Sequence, residues 1–245
     1  VYDYVPGQVV EMEIESLPIV WTVSAGNRIR IDISSSDFPE FSNHTNTVGN
    51  WAEQTETKIA NQTIYIDNDN ALAGEEATDY LYELGHRRIA YFGVSNAMLF
   101  SAERKRGYQM SLLKHGITPR EEDCVEINSL NDSYEDALET LLTSADRPTA
   151  VLISDDILAV VLEQFCGNLG FSIPKDLSII SFNNSLFSRI TSPRLTTIDV
   201  NPYQLGMEAA SQTINHIENP NLLATKIIVP HQLIPRESCC PPPKI

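Results

Sequence analysis

Ala150-Val-Leu-Ile-Ser-Asp-Asp-Ile-Leu-Ala-Val-Val-Leu-Glu-Gln-Phe-Cys-Gly-Asn-Leu-Gly170 is the stretch whose reading decides the fold. Its first four residues are continuously apolar, the pattern of a strand covered on both faces rather than one. Ser154, Asp155 and Asp156 turn the chain, and Asp156 to Leu169 reads as a helix that Gly170 stops. A second continuous apolar run, Leu177 to Phe182, follows a short connection. Strand, helix, strand with both strands apolar throughout is a parallel crossover unit.

The same alternation extends in both directions. Upstream, Ile64-Tyr-Ile66 is a short strand and Asp67-Asn-Asp-Asn70 a polar run. Ala73, Ala77, Leu81 and Leu84 recur at helical spacing before Gly85. Ile89 to Gly93 reads as a buried strand, Ser101 to Lys114 as a helix closed by His115-Gly116, and Val125 to Ile127 as a strand. Asp132 to Leu142 reads as a helix capped by Asp132 or Asn131. Downstream come a loop with Pro193, a strand Leu195 to Val200, and a helix from Pro202 to His216. Ile227-Ile-Val229 is a last apolar strand before a Pro-rich tail expected to fray. The whole is an α/β layer with a doubly wound parallel sheet. Residues 1–63 are different: Val10, Met12 and Ile14 alternate with acids, Pro18 to Val23 is apolar apart from Thr22, and Ile29, Ile31 and Ile33 alternate with Arg30 and Asp32. No helical period appears there.

With 245 residues the chain is long enough for one large domain or two lobes. Its 33 acidic against 17 basic residues leave a net charge of −16, which repels phosphate backbones and argues against these residues gripping nucleic acid themselves. No apolar run approaches the length of about 18 residues that a membrane span needs, and no basic-then-apolar leader opens the chain. Cys124, Cys166, Cys239 and Cys240 form no CxxC or zinc spacing, so a reduced, cytoplasmic setting is expected. The sequons at Asn43, Asn61, Asn131 and Asn183 are what an Asn- and Thr-rich chain produces by chance.

Phosphate-loop, dinucleotide-binding, zinc-protease and nucleophile-elbow motifs are all missing, and no cofactor or metal is expected. The adjacent carboxylates Asp155 and Asp156 close a strand, where α/β sheets place ligand contacts. Neighbours in such a turn point in different directions, so one is expected to face the crevice and the other to start the helix, and catalysis by the pair is not expected. Beyond the other strand ends stand Asn96 to Phe100, Asn128, and Asn183-Asn184, with Arg104 near the start of a helix. Short amides and carboxylates can each bond two hydroxyls, an aromatic face covers the apolar side of a pyranose, and an arginine adds charge-assisted donors. That chemistry fits a neutral polyol held without being transformed. The competing reading is that Asn and Asp stand at strand ends because they make good turns and caps, and for Arg104 that it pairs with a surface acid.

Several motifs in register carry a resemblance. Leu84-Gly-His-Arg-Arg-Ile-Ala-Tyr-Phe-Gly93, Glu103-Arg-Lys-Arg-Gly-Tyr108, Pro148-Thr-Ala-Val-Leu-Ile-Ser-Asp-Asp156, Leu169-Gly-Phe-Ser-Ile-Pro-Lys-Asp-Leu-Ser178, Ser181-Phe-Asn-Asn184 and Pro193-Arg-Leu-Thr-Thr-Ile198 follow one another in order. Over residues 64–238 the chain resembles the lactose/galactose repressor family (LacI family). Ile66 to Asn70 with Ser181 to Ser185 is further similar to the maltose-operon repressors within it. The resemblance implies a periplasmic-binding-protein-like fold, two doubly wound parallel-sheet lobes with a ligand cleft between them, in a homodimer. It places one lobe at residues 1–66 plus 200–229 and the other at 67–199 plus 230–245. It implies effector contacts from Arg104, Asp155 and Asn183, the last standing where many members have Asp, with Phe100 and Asn128 in ligand-facing loops. The family's helix-turn-helix has no counterpart in these residues, so operator DNA is expected to be bound by an N-terminal segment outside them. Residues 1–63 match the family's first lobe poorly.

The sequence therefore reads as the effector-binding and dimerisation core of a sugar-responsive transcriptional repressor, with a small saccharide, maltose or a maltodextrin among the candidates, as effector. A transport-type solute-binding protein is the alternative, and it predicts an encoded signal peptide and a monomer. A glycosidase would need two carboxylates about 5 or 6.5–9.5 Å apart. Only Asp155 is well placed for that, so no enzyme activity is expected.

Overall fold

In chain order the elements are β1 (Val10–Glu13), β2 (Val20–Val23), β3 (Tyr65–Asp67), α1 (Asn70–Glu83), β4 (Ile89–Val94), α2 (Leu99–Lys114), β5 (Cys124–Ile127) and α3 (Glu135–Thr143). They continue with β6 (Ala150–Ile153), α4 (Asp156–Asn168), β7 (Ser178–Phe182), α5 (Leu186–Ile190), β8 (Thr196–Asp199), α6 (Pro202–Glu218), β9 (Lys226–Ile228) and β10 (Gln232–Ile234). This computed structural model describes residues 10–13, 20–23, 64–95, 98–128, 133–218, 222 and 225–243. The chain divides into two units, Val1–Asp67 with Pro202–Val229, and Asn68–Asn201 with Pro230–Ile245.

In the first unit β1 and β2 pair antiparallel, Val10 opposite Val23. β3 pairs parallel with β9, Ile66 opposite Ile227, and Ile64, Ile66 and Val229 bury themselves against Leu205 and Ala209 of α6. The strand expected at Ile29 to Ile33 lies outside the described residues.

The second unit is a six-stranded sheet in the order β10-β8-β7-β6-β4-β5, parallel except for the antiparallel edge strand β10. The physical reason for continuous apolar strands is visible in β4. Ala90 and Phe92 face the layer of α3 and α4, meeting Leu138, Leu142, Leu158 and Leu162. Ile89 and Tyr91 face the layer of α1 and α2, meeting Ala77, Leu81, Tyr108 and Leu112. Each such large side chain stabilises the fold by about 1.5–3 kcal/mol of apolar burial. Among the described residues no helix is long and apolar enough to cross a membrane.

Two glycines let α1 and α2 cross in backbone contact. A Cβ on Gly107 would stand 1.9 Å from the Ala71 carbonyl oxygen, and one on Gly74 would stand 2.3 Å from that of Arg104. This close crossing sets the start of α1, with Asn70, against the second and third turns of α2, which carry Arg104 and Gly107.

Three features differ from the sequence expectation. α3 starts at Glu135, and its expected cap, Asn131 or Asp132, lies outside the described residues. The short helix α5 and the strand β10 carry too few residues for a periodic signal. The tail is pinned rather than frayed as far as Cys240. The Thr196 amide donates to Ser238 Oγ (2.8 Å), the Ile179 amide to the Ser238 carbonyl (2.9 Å), and Ser178 Oγ to the Cys240 carbonyl (3.0 Å). That carbonyl also lies 2.9 Å from Nε2 of buried His86, whose Nδ1 meets Thr149 Oγ1 at 2.8 Å. The tail thereby satisfies backbone groups that the sheet leaves open, which composition alone does not reveal.

Candidate functional site

The parallel strands β4, β6, β7 and β8 end side by side, and the polar residues that follow them converge there. Arg104 rises from the second turn of α2 and is only 3% exposed. Its Nε donates to Asn70 Oδ1 (3.0 Å) and its Nη1 to the Ser154 carbonyl (2.7 Å). Nη2 reaches Asn183 Oδ1 at 3.5 Å. The guanidinium is flanked by the rings of Phe182 (4.3 Å to the centroid) and Phe100 (4.9 Å). Phe100 precedes Arg104 by one helical turn, so both lie on the same face of α2. Aromatic faces and hydrogen-bond acceptors thus fix the orientation of this buried guanidinium.

Asp155 sits at the N-cap of α4, where its Oδ1 accepts from the Ile157 amide (2.7 Å). Its Oδ2 accepts from Asn183 Nδ2 (2.7 Å). Burial raises the Asp155 pKa above the ordinary aspartate value, against the lowering effect of the Ile157 amide, Arg104 and Asn183. One carboxylate thus caps a helix and orients an amide. Asn183 adopts φ 97° and Asn184 φ 48°, and this left-handed pair turns the chain out of β7.

The two adjacent acids do separate work. Asp156, 1% exposed, points into the sheet edge. Its Oδ1 accepts from Ser181 Oγ (2.5 Å) and Thr197 Oγ1 (3.2 Å), and its Oδ2 from the Ser185 amide (2.7 Å). It fastens the β7–α5 turn and is unavailable for acid/base work.

Arg104, Asp155 and Asn183 are therefore joined by direct hydrogen bonds, and Phe100 packs on the same guanidinium. Asn128 stands apart, exposed at the end of the edge strand β5, two strands from β6. Asn96 lies outside the described residues. Sequence reasoning missed Asn70, although it noticed the polar run that contains it. It also missed Phe182, which the apolar pattern assigned to the core, and the Ser154 carbonyl, which no side-chain pattern can announce. The arrangement offers donors, acceptors and an aromatic face.

The sequence profile of the periplasmic binding protein-like domain matches residues 78–239. The chain belongs to that family. Among its periplasmic binding protein-like relatives are LacI-family transcriptional regulators. Catabolite control protein A of Priestia megaterium is 27% identical over 73% of this chain and 54% of its own length. The HTH-type transcriptional repressor CytR of Escherichia coli is 30% identical over 72% of this chain and 51% of its own. The chain spans about half the length of the curated relatives it matches. A LacI transcriptional regulator from Bacillus cereus subsp. cytotoxis superposes with a TM-score of 0.68 at 39% identity, covering 72% of this chain and 62% of that one. A LacI-family regulator from Enterococcus faecium, solved with bound ribose, gives 0.65 at 26% identity, covering 73% and 66%. The regulator CelR, solved with cellobiose, gives 0.66 at 25% identity, covering 75% and 56%. Residues 3–71 match a different family, the X-Pro dipeptidyl-peptidase C-terminal non-catalytic domain. That second match accompanies the poor fit of residues 1–63 to the repressor pattern.

Proposed function

We propose that this periplasmic binding protein-like chain is the effector-binding and dimerisation core of a LacI-family transcriptional repressor that senses a small saccharide. Operator DNA would be bound by a segment outside these residues, consistent with the net charge of −16. The observation that carries the reading is the Arg104–Asn183–Asp155 network beyond the carboxyl ends of parallel strands, where ligands of α/β sheets bind. Amide, carboxylate and guanidinium groups flanked by Phe100 and Phe182 suit a hydroxyl-rich, uncharged ring. The ribose and cellobiose complexes of two similar regulators support the same ligand class. A sensor of this kind responds only insofar as the sugar binds one conformation better than another.

The test is a thermal-shift and calorimetric screen of the purified chain against ribose, cellobiose and maltose, with sedimentation to read its oligomeric state. A ligand at 100 times its dissociation constant stabilises the native state by about 2.7 kcal/mol. Arg104→Ala and Asp155→Ala are expected to weaken the binding sugar by about 1–3 kcal/mol each, because polar partners are left unpaired. Unchanged affinity in both variants would reject the site. A strict monomer would reject the dimeric part of the reading and favour a transport-type binding protein.

A further inference from the structure

Asn184 follows Asn183 in the left-handed turn, but its side chain serves a different set of partners. Its Nδ2 donates to Asp199 Oδ2 (2.9 Å) and its Oδ1 accepts from Arg236 Nη2 (2.5 Å). Arg236 arrives on the tail just after β10, distant in sequence from the turn it holds. Its Nη1 donates to the Leu195 carbonyl (2.7 Å) and approaches Ser188 Oγ of α5 (3.3 Å), while its own amide donates to Thr196 Oγ1 (2.9 Å). One planar guanidinium therefore ties together the β7–α5 turn, α5 and the start of β8. The turn itself keeps the Asn183 amide on the Ile198 carbonyl (2.8 Å) and the Asn184 amide on Thr197 Oγ1 (3.3 Å).

We infer that Arg236 is a positioning residue of the effector site: by gripping Asn184 it holds the adjoining Asn183 in the backbone conformation that aims its carboxamide at Asp155 and Arg104. The inference rests on the binding role proposed above. Two consecutive left-handed residues relax toward ordinary backbone conformations unless the surroundings over-determine them, and here the outer restraint is the Arg236 fork. Lysine carries the same charge but lacks the fork, so it cannot reach Asn184 and the Leu195 carbonyl at once.

The experiment compares the full chain with Arg236→Lys and Arg236→Ala. It uses calorimetric titration with ribose, cellobiose and maltose, together with thermal melting and amide hydrogen exchange read over residues 181–188. The expected result is an Arg236→Lys protein that melts cooperatively, exchanges faster in that segment while β4 and β6 stay protected, and binds whichever sugar the wild type binds about tenfold more weakly. A lower melting temperature with wild-type affinity means Arg236 is merely structural and overturns the inference. If the wild type binds none of ribose, cellobiose and maltose, the saccharide reading fails and the effector-site role of Arg236 falls with it; wild-type protection of residues 181–188 in Arg236→Lys overturns the restraint on the turn whichever sugar binds. If Arg236→Ala does not fold, Arg236→Lys carries the test.

Discussion

Replacing Asp156 by asparagine removes one charge from a group that is 1% exposed and accepts three hydrogen bonds. Each bond to a charged acceptor contributes about 1.5–3 kcal/mol. The carboxamide has one oxygen, so two arrangements are open to it. If the oxygen keeps Ser181 and Thr197, the new NH2 faces the Ser185 amide and two donors collide. If the oxygen keeps Ser185, both hydroxyls must turn to accept and their own protons lose a partner. Either way at least one charge-assisted bond is lost and a second is weakened, a cost of about 2–4 kcal/mol. Urea unfolding followed by circular dichroism should show the midpoint fall with an unchanged slope. Asp155→Asn is the matched control. Asparagine keeps the cap on the Ile157 amide but turns an NH2 toward Asn183 Nδ2, so a single side-chain bond is disturbed and the loss should be smaller, about 1–1.5 kcal/mol. A loss below about 0.5 kcal/mol for Asp156→Asn, or equal losses for the two variants, would refute the division of labour between these neighbours.

Gly107→Ala should destabilise by about 1–3 kcal/mol despite alanine's higher helix propensity, because its Cβ falls 1.9 Å from the Ala71 carbonyl oxygen and α1 must move away; a more stable variant in thermal melts would contradict the backbone contact. Burial lowers the pKa of His86 below its ordinary value of 6.5, so below that pH the unfolded chain takes up a proton that the folded chain resists. Stability should therefore be complete above pH 6.5 and decline as the pH falls, and His86→Gln should flatten that decline in melts from pH 7.5 to 5. Burial pushes Glu163 up to about 7, and its Oε1 has no hydrogen-bond partner among the described residues. A raised carboxyl pKa favours the folded state at low pH and loses that benefit as the pH rises through 7. Glu163→Gln should accordingly stabilise by about 1 kcal/mol at pH 8, a figure reduced for the solvent that reaches the group, and by little at pH 5; equal gains at both values would exclude this cause.

Much of the second unit was legible in advance. Continuous apolar runs at Ile89, Ala150 and Leu177 announced strands covered on both faces, and Gly85, Gly116 and Gly170, all with positive φ, stand where helices stop. Arg104, Asp155 and Asn183 were chosen because they flank those strands, and the fold brings them within hydrogen-bond reach of one another. Asn128 was chosen on the same ground and stands apart, because a strand end says nothing about where that strand lies in the sheet. The tail was misread because its composition resembles a loose end, whereas its order comes from single bonds to Ser178, Ile179 and Thr196 far back in the chain.

By itself the sequence determined the alternation of strand and helix, the parallel layer and the polar character of its carboxyl edge. All of these follow from local periodicity and from side chains within a few residues of one another. Only the tertiary structure decided which acid faces the site, that Asn70 and two phenylalanines hold Arg104, and that Arg236 reaches the turn at Asn184. Apart from Phe100, one helical turn from Arg104, those contacts join residues 28 to 79 positions apart, and hydrogen-bond geometry between distant segments leaves no periodic trace in the chain.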